Sequence, residues 1–325
     1  MYSIFVTPPT QLINSSVAAD ADVKLYVLRL DCMHPLINGN KWFKLKYNLL
    51  EAKQKNFTKL LTFGGAYSNH IFATAAAGSL FGFGTIGVIR GEERLPLNPT
   101  LSFAARQGMQ LVYLERKAYQ KWDTHQIQSQ LRQRGGEAFV IPSGGSNLNG
   151  VRGCGEIVSQ VDVPFDTICL ACGTGTTLAG IALSLHQGQR VIGFPVLKDG
   201  YVLAQEIDSL LRNYLSSGLP IAIASPSPWQ LICNYHCGGY AKVNNELLLF
   251  KQQFEQMYGI PLDYIYTAKM FYGVMDLVHQ GFFRPGERLL LLHTGGLQGN
   301  VGMEERLKLP SLNVNQLLSW NRGGS

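Results

Sequence analysis

Short apolar runs alternate with longer stretches of mixed polarity along most of this chain. Lys59–Phe63, Gly84–Ile89, Leu111–Leu114 and Ala138–Ile141 read as strands in the first half, and Thr167–Ala171, Arg190–Phe194 and Arg288–His293 in the second. The segments between them include four of helix length: Asn69–Phe81, Pro99–Gln107, Lys121–Arg134 and Thr177–Gln187. Strands that are apolar throughout are buried on both faces, and strands separated by helices pair in parallel. The pattern predicts an α/β fold of largely parallel sheets flanked by helices. Sites in such folds sit where strand carboxyl ends meet helix amino ends. The Pro/Gly-rich stretch Ile141–Gly150 reads as a crossing between domains, and a second crossing follows Lys41. The expected division is a large domain, 1–47 with 155–325, and a small inserted α/β domain, 48–154.

Composition narrows the function classes. With 46% hydrophobic and 15% charged residues in 325, the chain is globular and has ample apolar surface to bury. A net charge of +6 without a dense basic run does not favour nucleic acid, and it suits an anionic small molecule. Six cysteines in this length make no disulfide framework. Cys169-x-x-Cys172 lies in an apolar run and reads as packed thiols, as do Cys233 and Cys237. No apolar stretch is long enough to span a bilayer; Leu289–Leu292 gives way at once to His293. No secretory signal opens the sequence, so the expected location is cytoplasmic. The tail Ser319–Ser325 is expected to fray.

Three separated segments carry the candidate chemistry. Asn38-Gly39-Asn40-Lys41 offers a lysine at a helix start, between the apolar pairs Leu36-Ile37 and Trp42-Phe43. Burial and the nearby cations Lys44 and Lys46 favour its neutral, nucleophilic amine. Lys44 is the competing candidate. Gly64–His70 follows one strand, and Gly173-Thr174-Gly175-Thr176-Thr177 follows another. The second loop suits phosphate: glycines admit the anion, and amide and hydroxyl groups donate to it. It is no Walker loop, since no lysine follows the last glycine, and Leu178 breaks the dinucleotide fingerprint. A tight strand-to-helix turn is the plain alternative. A reactive amine, a polar loop and a phosphate cradle together are what a pyridoxal phosphate enzyme needs. The alternative is a phosphate-binding α/β protein without lysine chemistry.

The same residues resemble a known family. Asn38-Gly39-Asn40-Lys41-x-x-Lys44-Leu45-x-Tyr47, Gly64-Gly65-x-x-Ser68-Asn69-His70 and Ile141-Pro142-x-Gly144-Gly145-Ser146-Asn147 are similar to motifs of the pyridoxal-phosphate-dependent D-cysteine desulfhydrase / 1-aminocyclopropane-1-carboxylate (ACC) deaminase family. So are Gly173–Gly180, Tyr266-Thr267-x-Lys269 and His293-Thr294-Gly295-Gly296. The resemblance implies a tryptophan synthase β-like fold, a small amino-acid substrate and a homodimer. By resemblance, Lys41 carries the cofactor covalently, Asn69 meets its 3′ oxygen and Gly173–Thr177 hold its phosphate. Ser68, Asn69 and His70 line the substrate carboxylate site; Ser68, Tyr240 and Tyr266 take part in catalysis. ACC deaminases resemble one another in a Glu after the catalytic tyrosine and a Leu between His and Gly-Gly. Here Thr267 and Thr294 stand in those places, the first expected at the substrate and the second at the pyridine nitrogen. The expected reaction is β-elimination from a small β-substituted amino acid, D-cysteine first, with ring-opening of ACC as the alternative. His70, in place of an amide, and the short loop Gly91–Leu95 are read as bordering the substrate pocket.

Overall fold

The computed structural model describes residues 4–119, 129, 137–220 and 227–308. The expected helix Lys121–Arg134, apart from Ser129, and the tail Ser319–Ser325 lie outside the described residues. Ten strands occur among those described: β1 Thr10–Ile13, β2 Lys24–Arg29, β3 Lys59–Gly65, β4 Gly84–Arg90, β5 Met109–Leu114, β6 Phe139–Ile141, β7 Thr167–Cys172, β8 Arg190–Pro195, β9 Trp229–Leu231 and β10 Arg288–His293. They form two sheets, one ordered β1-β2-β10-β7-β8-β9 and the other β5-β4-β3-β6. The smaller sheet is parallel throughout. In the larger, only the β1–β2 pair is antiparallel. The seven strands read from the sequence are all present, within a few residues of the expected bounds.

Burial on both faces explains why these strands are apolar throughout. In β7, Ile168, Leu170 and Cys172 join one core cluster with Leu45, Leu49, Val151 and Leu178. Cys169 and Ala171 join the opposite cluster with Phe254, Phe271 and Val274. Cys169 and Cys172 therefore face opposite sides of the sheet and cannot act as a pair. Burial pushes both thiols up. Cys233 and Cys237, expected to be buried, are only half-buried. Strands β3 and β4 likewise put Leu61, Phe63, Ile86 and Val88 on one face, while Ile89 packs with Ile71 and Leu101 on the other.

Helix Asn69–Phe81 begins and ends where the sequence predicts. Ser68 caps it, its Oγ accepting the His70 and Ile71 amides, and Gly82 closes it at φ +76°. The helix expected over Thr177–Gln187 is shorter, Thr176–Ala182. The Ala182 carbonyl accepts the Ser227 amide, 2.8 Å away, instead of continuing the helical ladder. The His186 amide bonds the Gln189 side chain. A long-range partner ends this helix, which no local pattern announces.

The carboxyl ends of β3, β7 and β10 lead into Gly64–His70, Gly173–Thr177 and His293–Gly296. Helix Asn40–Gln54 meets them at Gly39, which is held at φ +64°. A Cβ on Gly39 would overlap the Thr294 carbonyl oxygen, so only glycine lets these backbones approach.

Candidate active site

The loops at these three strand ends, together with the start of helix Asn40–Gln54, enclose a cavity of about 770 Å³. That is room for a cofactor and a small amino acid. Lys41 and Lys44, one turn apart, both line it. Their amines part ways. The Lys41 Nζ donates to Asn40 Oδ1 at 2.8 Å, and the Lys44 Nζ donates to Thr174 Oγ1 at 3.3 Å. Burial, with the Lys44 charge adding to it, pushes the Lys41 amine down to about 7. Burial also lowers Lys44. Asn40 knits the region together: its Nδ2 donates to Thr177 Oγ1 at 3.0 Å, and its amide meets the Thr294 carbonyl at 3.4 Å.

The Gly173–Thr177 loop presents a chain of hydroxyls. Thr174 and Thr176 lie 2.9 Å apart, and Thr176 donates to Ser146 Oγ at 2.8 Å. Ser146 arrives from the loop after β6, so both sheets contribute to this end of the cavity. Gly175, at φ +71°, packs where a Cβ would overlap Ile207. Gly173, Thr174, Gly175 and Thr177 line the cavity; Thr176 stands behind them and braces Thr174.

Ser68, Asn69 and His70 also line the cavity. Ser68 Oγ accepts two helix amides, which leaves its hydrogen for a ligand. Asn69 Oδ1 accepts from Gln298 Nε2 at 2.7 Å, which leaves its NH2 to donate. His70 is 1% exposed. Thr62 has one hydroxyl hydrogen and gives it to the Ile141 carbonyl at 2.8 Å. The His70 Nε2, 2.9 Å from the same oxygen, must then be the donor between them. Burial, with the Lys41 and Lys44 charges adding, keeps this imidazole neutral. Its buried Nδ1 has no partner among the described residues and is a lone-pair acceptor. A carboxylate needs donors, so the ring in this tautomer does not fit the role the resemblance gave it.

Thr294 lines the cavity directly beyond β10, anchored through His293. The His293 Nε2 meets the Pro261 carbonyl at 2.7 Å, and its Nδ1 lies 3.1 Å from Asp31 Oδ1. Thr267 does not line the cavity. It is fully buried at the start of helix Thr267–His279, and its hydroxyl donates to Asp263 Oδ1 at 2.8 Å. The expectation that Thr267 touches substrate is corrected: the same Asp263 caps this helix, and Thr267 serves that cap. Gly91–Leu95 is absent from the described cavity wall; Arg90, just before it, lines the wall instead.

Tyr266 ends the loop before that helix, and Tyr240 reaches the cavity from a separate turn. Their rings meet edge-on, 6.3 Å apart at 73°. The Tyr266 ring covers Gly173, where an added Cβ would sit 3.3 Å from its edge. Burial, with Tyr240 and Asp263 adding, pushes the Tyr266 hydroxyl well above its ordinary value. It holds its proton at neutral pH.

A family model described as pyridoxal-phosphate dependent enzyme matches residues 4–295, nearly the whole chain. The chain belongs to this enzyme family. A Pyrococcus horikoshii protein provisionally named 1-aminocyclopropane-1-carboxylate deaminase is 33% identical over 316 residues, covering 93% of this chain and 92% of its own. A Serratia proteamaculans D-cysteine desulfhydrase is 28% identical, covering 84% of this chain and 86% of its own. The crystal structure of an ACC deaminase homologue superposes with a TM-score of 0.79 at 30% identity, covering 94% of each chain. The fold is tryptophan synthase β-like, and the chain is a pyridoxal-phosphate-dependent enzyme.

The cavity fits that cofactor. Hydroxyls and the Lys44 ammonium converge at one end, as a phosphate dianion requires. A lysine amine lowered to about 7 lines the same cavity. Asn69 and Ser68 add donors to its wall. Sequence reasoning underrated Asn40 and Lys44 and missed Gln298. The first two stood inside the quoted Asn38–Tyr47 motif; Gln298, 229 positions from Asn69, carried no local signal.

Proposed function

We propose that the enzyme catalyses β-elimination from a small β-substituted amino acid, D-cysteine first among them, giving pyruvate, ammonia and sulfide. One observation carries this reading. Among the described residues the cavity is lined by four basic side chains, Lys41, Lys44, Arg90 and Arg306, and by no Asp or Glu. Without a carboxylate, a ring nitrogen beside Thr294 gains little help in staying protonated. Ring-opening of ACC, which starts without loss of an α-proton, depends on that help more than expulsion of a good leaving group does. The Serratia relative's name agrees with this choice. An Arabidopsis thaliana relative, 29% identical, is named as bifunctional for D-cysteine and ACC and keeps the second substrate in the test. The test is a panel of D- and L-cysteine, β-chloroalanine, D-serine and ACC, scored for keto acid. D-cysteine is expected to lead; ACC turned over faster than every β-substituted amino acid overturns the reading.

Bound pyridoxal phosphate supplies an electron sink conjugated to the substrate's α-carbon. In this proposal Lys41 is its covalent carrier, and Lys44, with Thr174 and the Gly173–Thr177 amides, holds its phosphate. Asn69 donates to its 3′ oxygen. Ser68 and Asn69 supply the donors that meet the substrate carboxylate. Lys41, neutral near pH 7, accepts the α-proton. Tyr266, which keeps its proton, and Tyr240 beside it are the donors nearest a departing thiolate. The Cβ–S bond breaks with its electron pair on sulfur, and hydrolysis then yields pyruvate and ammonia. The inserted segment 48–154 supplies Ser68 and Asn69 to this arrangement.

A pH dependence follows from Lys41. A lysine is protonated below its pKa, and only the neutral amine captures an aldehyde. Capture of pyridoxal phosphate by cofactor-free protein is expected to be level above about pH 7 and to fall roughly tenfold per unit below it. Stopped-flow absorbance reads the rate. A rate still climbing tenfold per unit at pH 9 would mean an amine with ordinary lysine basicity.

A further inference from the structure

We propose that Lys269 is the positioning residue for Tyr240 and acts through the backbone carbonyl of Gly239. The inference rests on the assignment of Tyr240 to the active site above. Tyr240 rides on a turn that the backbone does not favour. Cys237, Gly238, Gly239 and Ala241 have φ of +51°, +91°, +111° and +53°, and two of these residues carry a Cβ. The turn closes on backbone bonds from Gly239 N to His236 O at 3.0 Å and from Lys242 N to Gly239 O at 3.1 Å, and outside contacts add to these. Two cations bracket the tyrosine: the Lys269 Nζ donates to Gly239 O at 2.8 Å, and Arg306 Nη1 donates to Ala241 O at 3.0 Å.

Lys269 is the unusual one. It is 1% exposed, on helix Thr267–His279, and the Gly239 carbonyl is its one hydrogen-bond acceptor among the described residues. None of the described ion pairs includes it. An ammonium buried on these terms is costly, and a methionine would fill the same volume without that cost. What the methionine would lack is the bond to the turn. Tyr266 is the residue that immediately precedes the helix bearing Lys269, three positions earlier. A single rigid element thus carries one tyrosine directly and ties down the other, which fixes the edge-on meeting of their rings. A proton donor misplaced by about 1 Å loses on the order of 10²-fold in rate, so such a tie is worth keeping.

The test uses pyridoxal-phosphate-loaded holoenzyme carrying Lys269→Met, Tyr240→Phe, or both. Lys269→Met is expected to lower kcat about tenfold or more with little change in KM, and to add nothing further in the Tyr240→Phe background. Hydrogen exchange provides a readout apart from turnover: amides of 238–242 should exchange faster in Lys269→Met, and those of 173–182 should not. Losses that multiply in the double variant, or unchanged exchange at 238–242, overturn the inference. If Lys269→Met does not fold, Lys269→Gln, whose donor falls short of the carbonyl, is read by the same comparison. A Tyr240→Phe enzyme with wild-type kcat would overturn the tyrosine's role instead, while exchange still reports the anchoring.

Discussion

Replacement of Lys41 by alanine is expected to abolish keto-acid release, by about 10³-fold or more, and to leave the protein without the absorbance of a lysine-bound cofactor. The loss is large because two roles fall on one amine, carrier and α-proton acceptor. The neighbouring lysine does not stand ready to replace it. The Lys44 Nζ is directed to Thr174 on the phosphate loop, whereas the Lys41 Nζ is bonded to Asn40 Oδ1. Borohydride reduction followed by peptide mass mapping checks the result. Cofactor fixed to Lys44 in the wild-type protein, or fixed to any lysine in Lys41→Ala, would transfer the carrier role and sink the assignment.

Gly39→Ala is expected to be the most damaging of the small substitutions. Its Cβ would collide with the Thr294 carbonyl and crowd the Gly295 amide, both of them backbone, in a conformation at φ +64° that alanine resists. Side chains can rotate out of such a contact; a strand-end loop tied to His293 cannot. The combined strain is on the order of 3 kcal/mol or more, enough to depress the unfolding midpoint by several degrees. Gly188→Ala is the control, since it has φ +88° and open space around it. It should lose about 1 kcal/mol from backbone strain alone. Equal losses in the two variants, read by urea unfolding, would show that the approach of Gly39 to Thr294 is not tight. The folded fraction of Gly39→Ala should also hold cofactor poorly, because Lys41 is two residues away and Thr294 is the surface it is pressed against.

Much of this was legible from local pattern. Helix Asn69–Phe81 is bounded by signals that act over a few residues, a serine whose hydroxyl caps the first amides and a glycine able to take a left-handed turn. Strands β7 and β10 were legible because they are buried on both faces. The helix after Gly175 was read too long because the group that ends it, the Ser227 amide, comes from a segment 45 positions beyond Ala182. Thr267 was misread for a related reason. Its place in a motif pointed toward the substrate, yet its hydroxyl is spent on Asp263 four residues earlier, and Thr294, reached through a different strand, takes the place at the cavity wall.

The sequence by itself determined the class of fold, the order of the strands along the chain and most of the residue types that line the cavity. Each of these is written in short-range patterns: runs of apolar residues, glycines at turns, a lysine at a helix start. Only the tertiary structure decided the chemical state of those residues. Burial together with a second ammonium made Lys41 a base near neutrality, and a bond from Thr62 to a carbonyl of another strand made the His70 Nε2 a donor and left only its Nδ1 as an acceptor. A buried ammonium on one helix was joined to a strained turn bearing a tyrosine. Protonation and hydrogen-bond direction depend on which groups lie within a few ångströms, and chain order does not record that distance.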